Sequence, residues 1–176
     1  NTLANDTLLH LGKNKRKKLA IKKTPMNKQE LIELSNNRYE AEKILRNASK
    51  SSYALIILDI DNLKILNDTY GYDTGNNVLN FVYNLVLNLL SKDEAVARVM
   101  QDDFAILVKY ISDKDIEIGL NHIVQKMNEC NMASLGLDEN YVISLSVGVY
   151  VIEDKGLNML SIQDRAYMAL NSAKKT

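Results

Sequence analysis

Tyr53-Ala-Leu-Ile-Ile-Leu58 is an unbroken apolar run that stops at Asp59-Ile-Asp-Asn62. It is too short for a helix with its own caps, and its lack of polar alternation fits a strand covered on both faces. Such a strand needs packed elements above and below its sheet, so a helical bundle or a half-solvated sheet does not suit this chain. With 176 residues the chain is about one domain's worth and can bury a single core.

The segments around the run carry helical spacing. Leu31, Ile32, Leu34, Tyr39, Ala41, Ile44 and Leu45, with glutamates between them, predict a helix over 28–47, with a break near Ser35-Asn36-Asn37. A short helix follows Asn62 through Tyr70 and is closed by Gly71. A second, over 74–90, carries Val78, Leu79, Val82, Leu85, Val86 and Leu89 on one stripe. Residues 95–100 and 104–110 read as two strands around Gln101-Asp102-Asp103, a hairpin by spacing without a glycine-rich turn. A helix over 112–130, a strand over 141–152 and a helix over 161–174 complete the order α-β-α-α-β-β-α-β-α. That order implies an α/β (α+β) fold with a mostly antiparallel central sheet flanked by helices.

Charge narrows the function classes. Seven basic residues lie between Lys13 and Lys23, and Asp6 is the only acid in residues 1–23. Residues 24–176 therefore hold 15 basic and 21 acidic groups, a net of −6, which does not suit a nucleic-acid binder. The nine tyrosines are scattered and form no stacking platform. Residues 1–27 read as a basic linker or leader from a larger protein, with a juxtamembrane segment as the competing reading. Any membrane attachment then lies in parts outside this sequence, since no apolar run here is long enough to span a bilayer. The chain opens on neither Met nor a signal segment, as expected of a piece cut from a longer protein. One cysteine, Cys130, excludes a disulfide framework and fits a reducing cytoplasmic setting.

Asp59 and Asp61 sit where the buried strand ends and a helix begins. Carboxylates there can hold a hard divalent cation while the N–H groups near Asn62, Leu63 and Lys64 face phosphate oxygens. Asp102 and Asp103 add oxygen ligands if their turn lies beside the first strand, an arrangement suited to metal-assisted phosphoryl or nucleotidyl transfer. The competing reading makes Asp59 and Asp61 helix caps and Asp102 and Asp103 ordinary turn residues. An EF-hand is excluded, because its fifth position is Leu63 and its glycine position is Lys64. His10 in the leader, His122 in a helix and Cys130 give no support for nucleophilic catalysis.

Leu58-Asp-Ile-Asp-Asn-Leu-Lys-Ile-Leu-Asn-Asp-Thr-Tyr-Gly71 resembles the first signature of GGDEF domains, the diguanylate cyclase family. Ala97-Arg-Val-Met-Gln-Asp-Asp-Phe-Ala-Ile-Leu107 occupies the place of the family's signature hairpin. Ile143-Ser-Leu-Ser-Val-Gly-Val149 and Ala166 to Lys174 are similar to its late strand and last helix, so the likeness covers residues 28–176. The resemblance implies a fold like the nucleotidyl cyclases and polymerase palms. It also implies a reaction that joins two GTP molecules into cyclic di-GMP with release of pyrophosphate, assisted by Mg2+ or Mn2+ across two paired domains. By position it makes Asp59, the Ile60 carbonyl and Asp102 metal ligands and Asp103 the other, catalytic hairpin acid. Asn62, Leu63, Lys64 and Lys174 then lie at the phosphates, and Asn67 and Asn76 at guanine.

Departures from the pattern shape the expected function. Met100 and Gln101 replace the two glycines of the hairpin, which admit torsions that other residues resist and let nucleotide approach the backbone. Asn76 replaces an acid that accepts from both guanine N1–H and N2–H, and an amide accepts through its oxygen alone. The product-inhibition motif, Arg-x-x-Asp, falls at Ser91 to Glu94 and lacks its arginine; the arginine that follows the matched lysine lies past Thr176. These features imply a degenerate GGDEF domain, without cyclase activity, acting as a GTP- and metal-binding or dimerisation module. A slow cyclase and a purely structural pairing domain are the alternatives, and a phosphodiesterase domain is an expected companion in the parent protein.

Overall fold

The computed structural model describes residues 8–11, 41–45, 52–99, 102–153 and 156–175 of the chain. The apolar run becomes β2 (Tyr53–Ile60), and all eight of its residues are buried. It lies inside a five-stranded antiparallel sheet of order β1-β5-β2-β4-β3, with β1 at Leu8–Leu11, β3 at Ala95–Arg98, β4 at Asp103–Lys109 and β5 at Leu145–Ile152. The helices are α1 (Leu63–Tyr70), α2 (Tyr72–Leu89), α3 (Asp113–Asn128) and α4 (Met159–Lys175), with a 3-10 turn at Met132–Leu135.

The unbroken hydrophobicity of β2 is explained by two cores. Ala54, Ile56, Leu58 and Ile60 face a cluster with Leu63 and Leu66 of α1, Val78, Leu79, Val82 and Val86 of α2, and Ile116, Leu120, Ile123 and Met127 of α3. Tyr53, Leu55 and Ile57 point the other way, into a cluster with Met159, Ile162, Ala166 and Leu170 of α4 and with Ala41 and Leu45. Each large apolar side chain buried there contributes about 1.5–3 kcal/mol. The side on which α4 lies also carries Asp59, the next residue of that alternation, and Lys174 of α4 reaches it.

Small residues set how closely α4 approaches. Ala166, Ala169 and Ala173 are fully buried on its inner face. Beneath them, a Cβ on Gly148 of β5 would lie 2.4 Å from the Leu170 nitrogen and 2.5 Å from the Ala166 carbonyl oxygen. Glycine is needed at this position because helix backbone rests on strand backbone.

The structure adjusts several expectations. The strand expected over 141–152 starts only at Leu145; Ser144 still accepts a hydrogen bond from the Asp61 N–H at 2.9 Å, but residues 141–144 make no ladder. α2 begins at Tyr72, directly after Gly71 at φ 90°, rather than at 74. α3 starts where the Ser112 hydroxyl accepts from the Asp115 N–H at 3.2 Å. β3 and β4 do form a hairpin, with Arg98 opposite Phe104 and the Val99 N–H donating to the Asp103 carbonyl at 3.0 Å. Met100 and Gln101 lie outside the described residues. So do the basic run and most of the helix expected over 28–47, of which residues 41–45 are helical. Leu8–Leu11, read as irregular leader, instead pair antiparallel with β5, placing His10 opposite Ser146.

Candidate metal and nucleotide site

Ladder register assembles the acids. Asp59 stands opposite Asp103 on one side and Ser146 on the other. Asp102 immediately precedes β4, and its carbonyl accepts from the Ile60 N–H at 3.4 Å. One oxygen from each of Asp59, Asp102 and Asp103 lies within 4.8 Å of the others. Asp59 and Asp103 are each only 5% exposed, and Asp102 is half-buried. A surface turn would hydrate these groups; here two of them are enclosed at a strand end.

Enclosure has an electrostatic consequence. Burial pushes the Asp59 carboxyl up to about 8, helped by its hydrogen bond to Asp103 and by that group's charge, while Lys174 works in the opposite direction. Burial and the charge of Asp59 also raise Asp102. Two groups from α4 meet the cluster: the Lys174 ammonium donates to Asp59 Oδ2, and the Tyr167 hydroxyl donates to Asp103 Oδ2 at 2.9 Å. Burial works to lower Lys174, but the charge and hydrogen bond of Asp59 outweigh it and the group is raised. Tyr167 is raised by burial and then by the Asp103 charge. Asp103 Oδ1 is buried without a hydrogen-bond partner. Three hard oxygen donors, one of them orphaned, fit a divalent cation of the Mg2+ or Mn2+ type.

Asp61 departs from the sequence reading. It joins neither the acid cluster nor the helix cap, because its two oxygens accept from Ser144 Oγ at 3.0 Å and Ser146 Oγ at 2.6 Å. The α1 N-cap is Asn62, in the left-handed region at φ 60°, and it makes no side-chain cap bond. The first N–H groups of a helix have no intrahelical partner, so this uncapped end can accept an anion. Lys64 is exposed beside it, whereas the Leu63 side chain is core and leaves only its backbone to a ligand.

Asn67 lies at the α1–α2 contact, against Gly75. Asn67 Oδ1 is buried without a partner, and a Cβ on Gly75 would lie 1.7 Å from it. Asn76, the next residue, is exposed. A Gly75→Ala change is therefore expected to displace the Asn67 amide. If that amide reads a base, fluorescence titration with a guanine nucleotide should weaken about tenfold, the cost of one hydrogen bond left unmade. Equal affinity would separate Asn67 from any ligand.

Tyr167 is absent from the sequence reading. A signal existed, since it stands seven residues before Lys174 and so shares its helical face, but nothing in the sequence says what that face meets. His122 is exposed on α3, Cys130 is half-buried, and neither belongs to the acid cluster. No helix among the described residues is long and apolar enough to cross a membrane.

A family model described as diguanylate cyclase, GGDEF domain, matches residues 30–176. The chain is 28% identical over 165 residues to the probable diguanylate cyclase DgcT of Escherichia coli strain K12, covering 90% of this chain and 36% of that protein. It is 30% identical over 122 residues to the cyclic di-GMP phosphodiesterase NbdA of Pseudomonas aeruginosa, covering 69% of this chain and 15% of that protein. The chain thus spans well under half the length of these relatives. Among solved structures, the active GGEEF domain of a diguanylate cyclase from Vibrio cholerae superposes with a TM-score of 0.68 at 24% identity, over 80% of this chain and 89% of that one. The diguanylate cyclase SiaD of Pseudomonas aeruginosa, solved with its activator SiaC, gives 0.64 at 25% identity, over 83% and 54%. The α+β fold expected from the sequence is the fold of these neighbours.

Proposed function

This chain belongs to the diguanylate cyclase, GGDEF domain family of cyclic di-GMP signalling, and we propose that it is a degenerate member that binds GTP with a divalent cation but does not cyclise it. The observation that carries this reading is the convergence of Asp59, Asp102 and Asp103 at one buried strand end, beside the uncapped start of α1. Opposing turnover, Met100 and Gln101 stand where the family has two glycines.

In this reading Asp59, Asp102 and the Ile60 carbonyl hold Mg2+ or Mn2+. When bound, the cation draws charge from the phosphate oxygens. The N–H groups of Asn62 and Leu63 and the Lys64 ammonium bind the phosphates, since a helix start and a mobile cation both favour anions. Lys174 adds a second cation from α4. Asn67 and Asn76 face the base; with an amide at Asn76, discrimination for guanine is weaker than an acid would give. Asp103 is the group positioned to take a proton from an attacking hydroxyl. For attack the second nucleotide must come against the hairpin backbone, an approach that glycines admit and that residues as long as Met and Gln disfavour. The domain then works in the cytoplasm as a regulatory module, paired with a second copy or with a signalling domain such as a phosphodiesterase in the parent protein.

Incubating the chain at high concentration with GTP and Mg2+ or Mn2+, and separating the products chromatographically, tests this directly. The expected outcome is cation-dependent GTP binding, lost in Asp59→Ala, and no cyclic di-GMP. Product that disappears in Asp59→Ala would make the domain a slow cyclase, a reading favoured by the retention of all three acids. Absence of GTP binding would leave a purely structural pairing domain.

A further inference from the structure

Lys174 is matched to a phosphate-binding position by its resemblance to the family, yet its ammonium sits on Asp59, one of the three clustered acids. We propose that Lys174 is the built-in counter-ion of that cluster: it occupies Asp59 while no divalent cation is bound and is released to the nucleotide's phosphates when one enters. The inference rests on the reading that Asp59 and Asp102, with the Ile60 carbonyl, hold a cation, and it adds a coupling between cation and nucleotide.

Three observations support the exchange. The cluster holds three carboxylates within 4.8 Å of one another, two of them enclosed, and the one cation that reaches Asp59 among the described residues is the Lys174 ammonium. The two partners differ in exposure: the Asp59 side chain is 7% exposed and that of Lys174 39%, so the acid is fixed while the amine hangs from the last turn of α4 on a flexible stem. Finally, Asp59 is followed after two residues by Asn62, the uncapped start of α1. A phosphate held there lies next to the strand end that Lys174 already reaches.

The physics selects displacement over sharing. Repulsion between ions grows with the product of their charges and falls with distance and dielectric. A divalent cation and an ammonium on one enclosed carboxylate are close and poorly screened. The singly charged, mobile partner leaves, and bound phosphate gives it a new anion. Cation and nucleotide therefore favour each other's binding beyond any direct contact between them, and the effect is reciprocal. If Lys174 only tied α4 to β2, its loss would loosen the helix and leave cation affinity unchanged or weaker.

Mn2+ titration of the full chain, read from the electron paramagnetic resonance of free Mn2+, distinguishes the two. Wild type, Lys174→Met, Lys175→Met and Asp59→Ala are compared without nucleotide, and GTP affinity is then measured with and without Mn2+. Lys174→Met is expected to bind Mn2+ about tenfold more tightly without nucleotide, while Mn2+ improves its GTP affinity less than it does for wild type. Lys175→Met, which removes an equal charge from the next residue, should change neither. Unchanged or weaker Mn2+ binding in Lys174→Met overturns the counter-ion role even where Asp59→Ala abolishes binding. Equal Mn2+ affinity in wild type and Asp59→Ala overturns the cation site itself, and the exchange with it.

Discussion

Replacing Asp59 by asparagine is expected to raise the melting temperature of the cation-free protein at pH 8, while abolishing its response to Mg2+. The sign comes from proton linkage. Asp59 is pushed up to about 8 in the fold from an ordinary 3.8. Between those values the folded chain holds more protons than the unfolded one, so stability falls as pH rises. Below the ordinary value both states are protonated and the penalty is absent. Wild type in chelator should therefore melt at progressively lower temperature from pH 5 to pH 8, and the variant should respond much less. At pH 8 the gain should be about 1–3 kcal/mol, the size of the desolvation penalty for a buried polar group whose hydrogen-bonding needs are incompletely met. Lys174, left without its carboxylate, turns its partly exposed ammonium to water at little cost. On the proposed site, Mg2+ binding to the folded chain alone should restore wild type but not the variant. Thermal melts followed by circular dichroism check all of this; a variant that melts below wild type at every pH would mean that the Asp59 carboxylate stabilises the fold.

Gly148→Ala is expected to cost about 3 kcal/mol, at the upper end of ordinary overpacking. Its Cβ meets the Leu170 nitrogen and the Ala166 carbonyl oxygen, which are backbone atoms that cannot rotate aside, so α4 must lift from the sheet. Lifting α4 also withdraws Tyr167 and Lys174 from Asp103 and Asp59. Urea unfolding should show a lower midpoint, and the Mn2+ affinity of the protein that remains folded should change with it. A wild-type midpoint would mean that the helix–strand approach has slack.

Much of this architecture was legible because burial writes a local signature. β2 is apolar on both faces and reads as an unbroken run; α2 and α3 each carry a stripe at helical period; the break at Asp59 falls just short of the strand end, since β2 runs on to Ile60. Where the signature is short, reading fails. Leu8–Leu11 has too few residues to show a period, and its strand exists only because β5 offers it an edge. Residues 141–144 continue the apolar and polar mixture of β5, yet the ladder stops at Leu145.

The site divides in the same way. Sequence alone determined that acids end a buried strand and begin a helix, that more acids sit in a hairpin, and that a lysine closes the last helix. These are properties of neighbours along the chain, set by periodicity and by where apolar runs stop. Only the tertiary structure decided which acids act together. Asp59 and Asp103 face each other because β2 and β4 pair in that register. Asp61, two residues from Asp59, is instead claimed by the hydroxyls of Ser144 and Ser146, more than 80 residues away. Tyr167 and Lys174 reach the acids because alanines and Gly148 let α4 lie close to the sheet. A carboxylate's charge and role depend on what lies within a few ångströms of it, and in this protein most of those neighbours are remote in sequence.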